Sequence, residues 1–152
     1  GYGIVEDGDQ GYRAVGWGTI KTVSSKSLSS RLAVIYHGLQ EAIGKYYPDE
    51  VAVEDLFFAN NVKSAIRLGE ARGVAILAAS NLNLKVAEYT PLEVKQAVVG
   101  YGRATKEQVK SMVVVLLAIV EDIVEDHSAD ALALGICHLN TMVLRHKLPS
   151  IT

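Results

Sequence analysis

Residues 49–56 read Asp-Glu-Val-Ala-Val-Glu-Asp-Leu, a short apolar strand ending in acids, and this stretch constrains the fold most. It follows a long helical pattern in which Leu28, Leu32, Ile35, Leu39 and Ile43 recur at helical spacing. Ser29 or Ser30 gives the start signal, and Gly44 and Pro48 bracket the stop. A strand that follows a long helix implies a parallel crossover, which places helices against a sheet. In open α/β sheets, function collects at the carboxyl ends of the strands. Glu54 stands at such an end.

The rest of the chain fits that frame. Residues 1–5 and 12–23 read as two strands joined by an Asp- and Gly-rich turn over residues 6–11, which puts Asp7 in the turn. A polar Ser/Lys connector leads into the first helix. A second helix spans residues 62–80, with Ala65, Gly69, Gly73 and Ile76 on one side. Small residues at that spacing permit close backbone approach, either to the sheet or to a second subunit. Residues 85–89 form another short strand, and Pro91 starts a helix through about Val98. Thr105 caps the next helix, from Lys106 to about Val120, and a last helix follows Asp126. The order ββ, α, β, α, β, then helices, predicts one α/β domain over residues 1–152 with a mixed sheet.

At 152 residues, with 49% of them hydrophobic, such a domain can bury a core without staples. No apolar run reaches the length of a membrane span, and no secretory signal is evident. The single Cys137 falls in the apolar part of the last helix, where it reads as a small buried hydrophobe. An intracellular setting is the expectation. The net charge of −2 argues against a nucleic-acid binder until its distribution is considered. Residues 60–115 hold eight basic and four acidic residues, a net of +4, whereas residues 121–130 hold five carboxylates and no base. A basic surface beside a carboxylate cluster suits a metal-dependent enzyme acting on nucleic acid.

Within that acidic stretch, His127 and Asp130 are three residues apart, so a helix puts both on one face near its N-terminal end. An acid and an imidazole there can hold a hard cation or position a water. They equally suit a helix capped by Asp126 or Ser128 with an ordinary surface histidine. Glu54 tips the balance, because it adds a second carboxylate from a strand end.

Taken together, these segments resemble the RuvC family of Holliday-junction resolvases, which have an RNase H-like fold. The resemblance is carried by Val53-Glu54-Asp55-Leu56-Phe57-Phe58-Ala59-Asn60-Asn61 and by residues 65–75, which read Ala-Ile-Arg-Leu-Gly-Glu-Ala-Arg-Gly-Val-Ala. It continues through Tyr89-Thr90-Pro91, residues 94–102 and Lys106, and ends in His127-Ser128-Ala129-Asp130-Ala131-Leu132-Ala133. It implies a homodimeric endonuclease that resolves four-way DNA junctions with magnesium or manganese, two ions per site, beside a branch-migration helicase complex in the cytoplasm.

By that resemblance Glu54, His127 and Asp130 hold metal, and Lys95 and Lys106 lie near the scissile phosphate. Phe57 is an exposed wedge at the junction crossover, with Phe58 more buried, and Arg103 and Lys110 contact DNA. The resemblance also implies a fourth ligand, an aspartate on a central first strand between the hairpin and residues 51–54. No residue here matches it, so the expectation is a further segment ahead of Gly1 that supplies both strand and aspartate. The rival reading is a non-catalytic module that recognises branched DNA by shape and charge. A nucleotide-binding ATPase is a weaker rival, because Gly100-Tyr101-Gly102 is too little to cradle phosphates.

Overall fold

A computed structural model describes residues 1–55, 61–120 and 125–147 of the chain, with side chains as far as Leu144. The elements are β1 (Tyr2–Gly8), β2 (Gly11–Gly18), α1 (Leu28–Tyr46), β3 (Glu50–Glu54), α2 (Val62–Ser80), β4 (Lys85–Tyr89), α3 (Pro91–Val99), α4 (Lys106–Leu116) and α5 (Asp126–Lys147). The crossover is as expected: β3 and β4 pair in parallel through α2, with Glu54 opposite Tyr89.

The sheet itself is divided. β1 and β2 form an antiparallel hairpin, β3 and β4 a parallel pair, and among the described residues no ladder joins the two. The edges of β1 and β3 instead face one groove, a cavity of about 550 Å³ lined by residues 1–6 and 49–54 and floored by Ala131, Leu134 and Gly135 of α5.

Local chemistry explains most element boundaries. Asn61 caps α2 by accepting from the backbone of Lys63 and Ser64. Thr90 with Glu93, and Thr105 with Gln108, form reciprocal capping boxes at α3 and α4. Four expectations are corrected. Ser27, not Ser29 or Ser30, caps α1, accepting from Ser30 N at 3.3 Å. Asp7 lies inside the β1 ladder opposite Tyr12 and not in the turn. Gly11, at φ 110°, allows a tighter reversal than the long Asp/Gly-rich segment suggests, and β2 ends at Gly18. The fourth is the end of α4: the helix stops at Leu116, because Ala118 turns left-handed at φ 48°.

α5 organises the core. Ala129, Leu132, Ala133, Ile136 and Cys137 are buried along it, against Val94 and Val98 of α3 and Val109, Val113 and Leu117 at α4. Their three- and four-residue spacing is the apolar stripe of a helix that packs on one face. Close approach to β1 depends on two glycines. A Cβ on Gly3 would lie 2.8 Å from Leu132 Cγ, and one on Gly135 would lie 2.8 Å from Val5 Cγ2. Burial pushes the Cys137 thiol up to about 11, so it behaves as the expected buried hydrophobe. Among the described residues no helix is long and apolar enough to cross a membrane.

Candidate active site

The carboxyl end of β3 delivers Glu54 to the groove, and the first turns of α5 deliver His127 and Asp130 to the same groove. All three side chains are exposed to solvent. The Glu54 carboxyl is raised above its ordinary pKa, first by partial desolvation and then by the Asp130 charge, while Lys106 opposes the shift. Glu54 and Asp130 are therefore near enough to feel each other's charge. Among the described residues, no three metal-ligating side chains close on a single point. Asp130 instead takes Lys106 of α4, with Nζ 3.2 Å from Oδ2.

Two carboxylates and an imidazole along one groove are donor types that would suit a hard divalent cation. Oxygen donors suit magnesium, and an imidazole is better tolerated by manganese.

Asp126, the first residue of α5, and Glu125 just before it each have a lysine. Lys110 Nζ lies 2.8 Å from Asp126 Oδ1 and holds that carboxyl below the usual range. Lys21 Nζ lies 3.4 Å from Glu125 Oε1, and a hydrogen bond from Thr19 followed by the Lys21 charge lowers Glu125 as well. Lys106 shares the site through Asp130. Lys95 is half-buried on α3 and does not line the groove, and Arg103 is exposed in the α3–α4 connection. Phe57, Phe58, Glu121 and Asp122 lie outside the described residues.

Sequence reasoning missed three supports behind the site. Arg72 of α2 donates to the Glu54 carbonyl at 3.1 Å. Buried His138 of α5 meets the Tyr89 hydroxyl of β4 at 2.8 Å through Nδ1. Its Nε2 is 3.2 Å from Glu50 Oε2, without the alignment of a hydrogen bond. Ser128, between the two candidate ligands, is buried with its hydroxyl 3.5 Å from that of Thr19. None of these pairs leaves a local signal, because each joins residues far apart in the chain.

A parallel strand pair that ends in a carboxylate, facing an acid and an imidazole across a lysine-edged groove, defines an RNase H-like domain of the nuclease class. The family profile described as "Crossover junction endodeoxyribonuclease RuvC" matches residues 1–138. The RuvC protein of Halothermothrix orenii is 50% identical over 147 residues, covering 97% of this chain and 89% of its own. That of Moorella thermoacetica is 51% identical over 138 residues, covering 91% and 83%. Among solved structures, Thermus thermophilus RuvC in complex with Holliday junction substrate superposes with a TM-score of 0.86 at 32% identity, covering 93% of this chain and 87% of that one. The chain belongs to the RuvC family of crossover junction endodeoxyribonucleases.

Proposed function

We propose that this protein is a divalent-metal-dependent endonuclease that resolves four-way DNA junctions by paired, symmetric strand cleavage. The observation that carries the reading is the meeting of Glu54, His127 and Asp130 along one groove, with Lys106 on Asp130. The two carboxylates would hold magnesium or manganese, two ions per site in the full arrangement. A cation bound there supplies positive charge at the scissile phosphate. Glu54 and Asp130 would hold and orient it, and its charge would offset the repulsion between them. His127 either joins as a ligand or, as a neutral imidazole, takes a proton from the attacking water. Lys106 offsets charge on the phosphate, and Lys95, which stands outside the groove, is assigned the same role by the family resemblance alone, while Phe57, Arg103 and Lys110 contact the junction DNA.

A homodimer follows from the substrate, since two strands of like polarity need two symmetry-related sites. The small-residue side of α2 is the surface assigned to it, where Gly73 has open space around its Cβ position. A branch-migration helicase complex is the further partner, in the cytoplasm.

For the activity itself, the decisive assay is cleavage of a synthetic four-way junction with and without magnesium or manganese. Glu54→Gln and Asp130→Asn should each lower the cleavage rate about 100-fold or more while sparing junction binding. Binding with no cleavage by the unsubstituted protein at any cation concentration would favour the non-catalytic module.

A further inference from the structure

Arg72 stands on α2, outside the groove, with its side chain only 22% exposed. Its Nε donates to the backbone carbonyl of Glu54 at 3.1 Å. The same guanidinium donates to the Glu88 carboxylate on β4 and lies 3.6 Å from Asp55 Oδ1. A trans peptide points its C=O and N–H in opposite directions. The N–H of the Glu54–Asp55 peptide is bonded to the Tyr89 carbonyl at 2.8 Å, so its C=O faces away from β4. β4 therefore cannot supply a donor for that carbonyl, and Arg72 does.

The fork of a guanidinium is planar and rigid, so hydrogen bonds to two acceptors, the Glu54 carbonyl and the Glu88 carboxylate, fix its plane. With that plane fixed, the last peptide of β3 is fixed too, and the direction of the Glu54 side chain follows from it. Arg72 itself does not line the groove and reaches it only through Glu54.

We infer that Arg72 is a positioning residue for the Glu54 carboxylate and, through it, sets how tightly the groove takes a divalent cation. The inference rests on the reading of Glu54 as a cation ligand. Arg72→Lys keeps a positive charge near Glu88 but loses the fork, so it separates geometry from charge.

The test is a calorimetric titration of the full-length protein with Mn2+ in the absence of DNA, together with junction cleavage at several Mn2+ concentrations. Substitutions behind a metal ligand weaken metal binding by about 10–100-fold. Arg72→Lys and Arg72→Gln should weaken Mn2+ binding about tenfold, with cleavage recovering as Mn2+ is raised and the junction KM unchanged. Unchanged Mn2+ affinity in the folded variants overturns the inference. So does a rate loss that no Mn2+ concentration restores and that follows the folded fraction. Should the Arg72 variants not fold, Glu88→Gln frees one arm of the fork and is read by the same criteria, with a smaller shift. Glu54→Gln serves as control. Full Mn2+ affinity in that variant overturns the ligand reading itself, whereas loss there with full affinity in the Arg72 variants overturns only the positioning role.

Discussion

Lys106 Nζ lies 3.2 Å from Asp130 Oδ2, so the first residue of α4 covers a carboxylate at the start of α5. Lys106 is raised above its ordinary pKa, chiefly by the hydrogen bond to Asp130. Both side chains are about half exposed, at 51% and 47%. A pair that open to water contributes about 0–1 kcal/mol, so its role is better sought in the chemistry than in stability. A lysine on Asp130 occupies a carboxylate that a bound cation would need.

Replacing Lys106 with Met should therefore move two observables in opposite directions. Cation binding should tighten, because Asp130 loses its competing partner, while junction cleavage slows, because the phosphate loses a counter-charge. Mn2+ titration and single-turnover cleavage on the same preparation decide it. Weaker cation binding in the variant would show that the pair organises Asp130 instead of competing for it.

The raised Glu54 carboxyl gives a pH dependence with a definite sign. Its folded pKa stands above the unfolded value, so folding with the group ionised is disfavoured. Stability in the cation-free protein is thus lost as pH rises from the unfolded to the folded pKa, and no penalty remains below that window. Glu54→Gln removes the ionisable group. In the presence of a chelator it should melt above the unsubstituted protein at neutral pH, with the gap closing at acid pH. Identical melting curves across the whole range would sink this account. Cation binding by the unsubstituted protein should likewise weaken on the acid side at a higher pH than an ordinary glutamate would produce.

Tyr89 and His138 are 6% and 7% exposed, and their hydrogen bond ties β4 to α5 beneath the groove. Tyr89→Phe leaves His138 Nδ1 buried without that partner, which should destabilise the protein by about 1–3 kcal/mol. Chemical denaturation measures this directly. A loss well under that range would mean that the imidazole finds another partner.

Phe57→Ala tests the wedge. Base–aromatic stacking contributes about 1–3 kcal/mol per base, so the variant should distort the junction centre less and cut more slowly. Fluorescence from labels on the junction arms reports the distortion. Unchanged distortion and rate would remove Phe57 from the DNA contact surface.

The parts of this protein legible from sequence are those governed by neighbours within a turn or two. α2 and the starts of α3 and α4 fall where the sequence pattern places them, because Asn61, Thr90 and Thr105 satisfy backbone donors only a few residues away. Glu54 at a strand end, and His127 with Asp130 on one helical turn, follow from spacing alone. The hairpin was harder, since two glycines flank the candidate turn and only the positive φ at Gly11 selects the tight reversal that carries Asp7 into the ladder. No local pattern indicates that the hairpin and the β3–β4 pair stay separate, that Lys106 rests on Asp130, or that Arg72 takes the Glu54 carbonyl from 18 residues away. Those arrangements depend on how α2, α4 and α5 pack against the strands. Packing brings together charges whose partners are chosen by proximity in space, which a string of residues does not record.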